Sequence, residues 1–173
     1  PNPRLGLVYE GIELCKKENV DFLLAVGGGS VLDSTKAIRL GLSHGFDPWE
    51  AIINGINPEH PFPMGSVLTM AAAGSEMSNS CVLSDKKPHL KRVCNFDGNR
   101  PDVTFMDPSL TLTAPAYHTA AGITDIMMHS MERYLTNEPD TPLTDAVCLA
   151  VLKTVKEEGA KLMKDPDNLE LRS

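Results

Sequence analysis

The feature that most constrains the fold is a short apolar run that leads directly into three glycines and then a predicted helix. The run covers 22–26 and carries no charge, as is typical of a strand buried on both faces of a parallel sheet. The glycines occupy 27–29, and Ser30 opens a predicted helix that extends to about Leu42. A loop of this kind presents free N–H groups at the positive end of a helix dipole, which favours phosphate binding.

The glycine loop does not match the two common phosphate motifs. No Gly-Lys-Ser/Thr follows it, and Leu32 stands where the last glycine of Gly-x-Gly-x-x-Gly would be. Ser30 and Asp33 have the spacing of a capping box at the helix start. Taken alone, the loop is also compatible with a strand-to-helix turn that simply needs small residues.

The order of predicted elements divides the chain in two near residue 108. We predict an α/β dinucleotide-binding layer over 1–108, followed by an all-helical segment over 109–173. Before the division, helices are predicted at 4–18 and after Asp47, and further strands at 66–70, 81–83, 91–94 and 102–106. After it, only helices are predicted, at 115–135 and 142–164.

Composition excludes several classes of protein. The net charge of −7 argues against a general nucleic-acid binder, and no apolar stretch approaches the roughly 18 residues of a membrane span. A secretory signal is not found near residue 1, and the four cysteines include no Cys-x-x-Cys pair. We therefore expect reduced thiols, a cytoplasmic location, and no nucleic-acid or membrane partner.

A candidate metal-binding pair lies in the first of the late helices. Asp125 and His129 are four residues apart, so a helix would place both on one face. A carboxylate oxygen and an imidazole nitrogen suit zinc or ferrous iron, and Glu132 is spaced to act as a partner of the histidine. Two ligands do not complete a site. By itself the pair is better explained as an ordinary contact on a solvated helix.

Four ordered segments resemble the iron-containing (group III) alcohol dehydrogenases, most closely the branch of butanol dehydrogenases and NADPH-dependent aldehyde reductases. The resemblance covers essentially the whole chain. The four segments are Gly27-Gly28-Gly29-Ser30-x-x-Asp33-x-x-Lys36, Gly74-Ser75-Glu76, Met106-Asp107-Pro108, and Gly122-x-x-Asp125-x-x-x-His129-x-x-Glu132.

The resemblance implies a metal-dependent oxidoreductase that interconverts a primary alcohol and an aldehyde with NAD(P)(H). It implies that Gly28, Gly29 and Ser30 hold the cofactor diphosphate, and that Asp33 lies near the nicotinamide. It also implies cofactor contacts for Thr69 and Lys91. Asp125 and His129 match two of four ligands to a divalent metal, Fe²⁺ or Zn²⁺. No side chain is nominated as a general base, and a homo-oligomer, a dimer, is expected.

Departures from the family pattern leave alternatives open. Ala72 and Ala73 precede Gly74 where the family usually has Gly-Thr, so one hydroxyl contact to the cofactor is missing. The remaining two ligands, both histidines, are expected beyond Ser173, and a further strand–helix unit before Pro1. A catalytically incomplete fragment, inactive when isolated, is therefore one alternative. A glycerol dehydrogenase-like polyol oxidoreductase or a dehydroquinate synthase-like enzyme, from a related family with the same scaffold, is another.

Overall fold

The chain forms two compact units in the computed structural model, which describes residues 3–43, 47–85 and 90–173. The first unit comprises Pro1–Leu68 and Gly74–Met106. The second comprises Thr69–Ala73 and Asp107–Ser173. The polypeptide therefore enters the second unit for five residues, returns to the first, and then leaves it again.

The first unit mixes helices and strands. Its helices are α1 (Leu5–Lys17), α2 (Gly29–Leu42) and α3 (Pro48–Asn54), and its strands are β1 (Leu23–Gly27), β2 (Met64–Leu68), β3 (Ser80–Asp85), β4 (Leu90–Asn95) and β5 (Val103–Met106). Helix α3 begins as its sequence predicts. The Asp47 carboxylate accepts hydrogen bonds from the backbone N–H groups of Trp49 and Glu50, and Pro48 fills the first helical position.

Three of the strands form a parallel sheet in the order β1-β2-β5, and β3 and β4 form an antiparallel pair. Leu23 lies opposite Met64, and Gly27 lies opposite Leu68. The prediction of a strand at 66–70 was therefore two residues too late. Pairing with β1 sets the bounds of β2, whereas the largely apolar run in the sequence continues through Met70.

One face of the parallel sheet packs against α2 around four buried residues, Leu23, Ala25, Leu32 and Met64. A second core joins all three helices to the β3–β4 pair. Its buried members are Leu5, Val8, Ile12, Ala37, Leu40, Ala51, Ile52, Cys81, Leu83 and Cys94. These two cores fix α2, and with it the glycine loop, against the end of β1.

The other face of the parallel sheet is exposed, so the prediction that the first strand is buried on both faces was wrong. Leu24 and Val26 are 54% and 55% exposed, and Val103 and Phe105 on β5 lie in the same two cross-strand rows. The apolar run shows that both faces of the strand could be buried, but it does not show whether another element covers each face. Among the described residues of the first unit, helices pack against only one face of the sheet.

The second unit is helical, as the sequence predicts. Helices α4 (Ala116–Tyr134) and α5 (Pro142–Leu162) pack against each other. Both fall within two residues of their predicted bounds. In the ranges 3–43, 47–85 and 90–173, every helix is too short or too polar to cross a membrane.

Candidate functional site

The glycine loop joins β1 to α2 and has the geometry of an anion-binding helix start. Gly28 is the N-cap residue in an extended conformation, and its carbonyl accepts hydrogen bonds from the N–H groups of Val31 and Leu32. The N–H groups of Gly29 and Ser30 lie in the first turn, where a helix has no internal acceptor for them. These amides are available to an anionic group.

The capping box predicted from Ser30 and Asp33 is not formed. The helix begins one residue earlier than predicted, so Ser30 is its second residue and Gly28 is the cap. The Asp33 carboxylate instead accepts a hydrogen bond from Ser75 Oγ at 2.5 Å and one from the Val82 backbone N–H at 3.0 Å. Asp33 therefore binds Ser75 and Val82, which are distant in sequence, and does not take part in the predicted capping box.

Gly29 leaves room for a group that approaches the helix start closely. A Cβ atom added at Gly29 would meet Ser75 Cβ at 3.9 Å, which is an ordinary van der Waals contact. Packing among the described residues therefore does not require glycine at this position. A glycine that the protein's own packing does not demand fits a site where a ligand approaches the backbone. The loop thus fits the diphosphate of a dinucleotide.

Lys36 connects the glycine-loop helix to the segment that runs from Gly74 to Ser80. Its ammonium is fully buried and donates to the Ser75 and Ser80 carbonyl oxygens at 2.7 Å and to the Ser78 carbonyl oxygen at 3.0 Å. Ser75 Oγ is also within 3.1 Å of it, and Asp33 Oδ1 lies at 3.8 Å. Burial lowers the pKa of Lys36, while the negative charge of Asp33 opposes that change.

The two other residues assigned to the cofactor are not part of the glycine loop, although Leu68, which precedes Thr69, lies opposite Gly27. Thr69 follows the last residue of β2 and belongs to the second compact unit. Lys91 is exposed on β4 and lies opposite Ser84. Among the described residues, no hydrogen bond joins Lys91 to the glycine loop.

The candidate metal ligands lie together on α4. Asp125 Oδ1 is 3.8 Å from His129 Nε2, and Glu132 Oε2 is 3.8 Å from His129 Nδ1. One ring nitrogen therefore lies nearer Asp125 and the other nearer Glu132, each beyond hydrogen-bond distance of the carboxylate. An imidazole with a metal on one nitrogen and a carboxylate on the other is a common arrangement at metal sites, so these residues fit a divalent metal.

Further ligands are not assembled around this pair. Within 3–43, 47–85 and 90–173, no group of three or more His, Cys, Asp or Glu side chains is arranged to hold a metal ion. Of the remaining histidines, His60 and His118 are described, whereas His44 and His89 lie outside the described residues.

Gly122, the first residue of the predicted metal motif, has a packing role that the sequence does not reveal. A Cβ atom added there would lie 2.3 Å from the carbonyl oxygen of Ala71. Helix α4 therefore approaches the backbone of Thr69–Ala73 so closely that only glycine fits. This contact fixes α4 against the segment that follows Thr69.

The sequence patterns contained Lys36 and Ser75 but gave neither residue a role. A signal was available, because Lys36 lies one turn after Asp33 and beside Ala37 and Leu40 on the buried face of α2. A charged side chain on such a face must find partners.

Models of a single protein family match both parts of the chain. Residues 1–108 match "Iron-containing alcohol dehydrogenase", and residues 119–173 match "Fe-containing alcohol dehydrogenase family, C-terminal". The probable NADH-dependent butanol dehydrogenase 2 of Bacillus subtilis is 44% identical over 172 residues, which is 99% of this chain and 44% of that protein. The NADPH-dependent aldehyde reductase YqhD of Escherichia coli is 35% identical over 176 residues, covering 100% of this chain and 46% of that protein.

The crystal structure of NADH-dependent butanol dehydrogenase A from Thermotoga maritima superposes with a TM-score of 0.93 at 34% identity. The match covers 99% of this chain and 43% of that one. This chain therefore spans less than half the length of the curated relatives that it matches.

Proposed function

Because this chain belongs to the iron-containing alcohol dehydrogenase family, we propose that the complete protein interconverts a primary alcohol and an aldehyde with NAD(P)(H) and a divalent metal. The observation that carries the proposal is that one chain contains both a candidate diphosphate site and a candidate pair of metal ligands. The first is an anion-binding helix start with room at Gly29, and the second is the Asp125–His129 pair on α4. Names of relatives at 44% and 35% identity support the reaction class.

We assign the cofactor to the first unit. The amides of Gly28, Gly29 and Ser30 would bind the diphosphate at the positive end of the α2 dipole. Asp33, Thr69 and Lys91 are assigned to the cofactor by family resemblance. Residues 1–108 accordingly form part of the dinucleotide-binding domain, and 109–173 form the start of the helical metal-binding domain.

We assign the metal, Fe²⁺ or Zn²⁺, to Asp125 and His129. Bound there, it would supply Lewis-acid polarisation of the substrate oxygen, while the nicotinamide supplies the hydride chemistry. The contribution of the chain itself is to hold and orient these groups. Glu132 would accept a hydrogen bond from His129 Nδ1 and so fix the ring with Nε2 toward the metal.

The proposal extends to location and assembly. All four cysteines are free thiols, which supports a cytoplasmic protein. A dimer is proposed from family resemblance, and light scattering of the complete protein measures it directly.

A substitution at Gly29 tests the cofactor site without disturbing the fold. Gly29→Ala adds a methyl group that the protein accommodates at 3.9 Å but that a bound diphosphate would meet. We expect unchanged thermal stability and about tenfold weaker binding of NADH or NADPH, measured by fluorescence titration. Gly6→Ala, where nothing lies within 4 Å, is the matched control. Undiminished dinucleotide binding by Gly29→Ala would contradict the assignment of the cofactor diphosphate to the glycine loop.

Turnover assays then test the reaction class. Butan-1-ol, butanal and glycerol are each assayed in steady state with both cofactors, using metal-loaded complete protein. The proposal predicts turnover of the monoalcohol and the aldehyde. Turnover of glycerol alone would instead identify the polyol oxidoreductase alternative.

A further inference from the structure

The Gly74–Ser80 segment is held to α2 largely by one side chain. The segment contains no helix or strand before Ser80, and three of its carbonyl oxygens accept hydrogen bonds from Lys36 Nζ. These contacts span 39 to 44 positions of sequence. The lysine therefore closes a long loop onto the helix that begins at the glycine loop.

Asp33 and Ser75 complete the connection. Ser75 Oγ donates to Asp33 at 2.5 Å and accepts from Lys36 at 3.1 Å. It is thus placed between two charged side chains of α2, Asp33 and Lys36. Ser75 Cβ is also the atom that faces Gly29. The position of Ser75 beside the diphosphate loop is consequently set by residues one and two turns into the helix.

We infer that Lys36 is a positioning residue for cofactor binding, which fixes the Gly74–Ser80 segment beside the glycine loop and so sets the width of the diphosphate site. This inference rests on the proposed function. Lys36 itself would not touch the ligand, because its side chain is fully buried and its Nζ is bonded to Ser75. Its effect reaches the cofactor through the position of Ser75.

The choice of lysine follows from the acceptors. Four oxygen atoms of Ser75, Ser78 and Ser80 surround one nitrogen within 3.1 Å. A compact ammonium with three rotatable N–H bonds can serve such a cluster, whereas a planar guanidinium is larger and directs its donors into one plane. A neutral side chain would leave buried carbonyl oxygens without donors, and the segment would shift to recover them.

The inference is tested with Lys36→Met in the complete protein, and with Lys153→Met as control. Lys153 is exposed on α5, so the control makes the same chemical change away from the segment. The probes are NADH, NADPH and ADP-ribose, the last because it carries the diphosphate without the nicotinamide. We expect Lys36→Met to weaken binding of all three about tenfold and to raise the cofactor KM, with kcat at saturating cofactor within about threefold of wild type. Lys153→Met should match wild type.

Ser75→Ala provides a second variant should Lys36→Met fail to fold. It removes only the hydroxyl between Asp33 and Lys36 and leaves the three carbonyl contacts in place. We expect the dissociation constant and KM to rise as in Lys36→Met but by less, about threefold, with kcat unchanged. A purely structural role would lower stability in these variants without separating KM from kcat.

The outcomes distinguish this inference from the proposed function. If wild-type protein binds no dinucleotide, the proposed function fails and the inference fails with it. If wild type binds and the folded Lys36→Met protein binds equally well, the inference alone is overturned. When only Ser75→Ala is folded, undiminished binding by that variant overturns it in the same way.

Discussion

The guanidinium of Arg39 binds both carboxylate oxygens of Asp102, at 2.9 and 3.1 Å, and so ties α2 to the start of β5. Arg39 is buried and also donates to the carbonyl oxygens of Phe62 and Arg100. The same carboxylate accepts a hydrogen bond from the Met64 N–H, where β2 begins. One residue pair therefore sets the starting points of two strands of the parallel sheet.

Removal of this carboxylate should destabilise the protein. Asp102→Ala leaves a buried guanidinium without its counter-charge, and we expect a loss of about 2 kcal/mol, discounted because Asp102 is half exposed. Chemical denaturation measures the difference in unfolding free energy. Asp97→Ala is the control, since Asp97 pairs with Arg100 at the surface and its loss should change stability by less than about 0.5 kcal/mol. Equal effects from the two variants would show that the Arg39–Asp102 pair contributes no more to stability than an exposed ion pair does.

A methyl group at Gly122 should also destabilise the protein, through overpacking. Gly122→Ala places a Cβ atom 2.3 Å from the Ala71 carbonyl oxygen, so the helix or the segment must move. We expect a loss of about 1–3 kcal/mol despite the better helix propensity of alanine. Gly6→Ala in α1 meets nothing within 4 Å and should instead be neutral or stabilising by up to about 1 kcal/mol. Thermal melting compares the two variants, and a neutral Gly122→Ala would contradict the close approach.

Truncation of either candidate metal ligand should abolish turnover in the complete protein. We expect Asp125→Ala and His129→Ala each to reduce kcat/KM more than about hundredfold while the dissociation constant for NADH or NADPH stays within about twofold. His118→Ala is the matched control, because His118 is an exposed histidine on the same helix. Full activity in either ligand variant would refute the metal assignment.

Residues 1–173 alone should hold a divalent metal weakly. Asp125 and His129 supply two ligands on an exposed helix face, whereas stable zinc sites use three or four protein ligands. We expect less than stoichiometric iron or zinc after dialysis, as measured by elemental analysis. Tightly held metal at one ion per chain would contradict this expectation.

The phenol of Tyr9 should give the protein a pH-dependent stability at high pH. Partial burial and the 2.8 Å hydrogen bond to Asp47 raise the pKa of Tyr9 from 10.0 to about 12. The folded state therefore retains its proton where the unfolded state has lost it, and the resulting stability is lost as pH rises from 10 through 12.

Tyr9→Phe removes this contribution. Denaturation curves between pH 9.5 and 12 should be less steeply pH-dependent in the variant than in wild type, by an amount that solvent exposure of the phenol keeps to about 1 kcal/mol or less. Tyr117→Phe, at an exposed tyrosine, is the control. Parallel curves for wild type and Tyr9→Phe would show that the raised pKa of Tyr9 does not contribute to the stability of the protein.

Local patterns predicted the parts of the fold that local interactions determine. The bounds of α2 and β1 are correct within one residue, because a run of apolar side chains closed by glycines is a signal confined to a few positions. The bounds of β2 and the exposed face of β1 were wrong. The bounds of β2 depend on its pairing with β1, and the exposure of β1 depends on which elements cover it. The identities of Leu24 and Val26 do not determine which elements cover them.

The candidate site also has a part that local sequence predicted and a part that depends on distant residues. The anion-binding geometry at Gly28 and Gly29 followed from the order of elements. The partners of Asp33 did not, because Ser75 lies 42 positions away and competes with the capping pattern. The buried face of α2 indicates that Lys36 needs partners, but the sequence does not identify them, since most are backbone carbonyl oxygens, which every residue possesses.

The path of the chain between the two compact units has a consequence for modular exchange. The polypeptide crosses from one unit to the other at Leu68–Thr69, Ala73–Gly74 and Met106–Asp107. A single genetic crossover near residue 107 would combine a new helical unit with the old Thr69–Ala73 segment, against which Gly122 fits at its closest contact. Chimeras between family members should therefore tolerate that junction only when the five-residue segment is transplanted together with the helices.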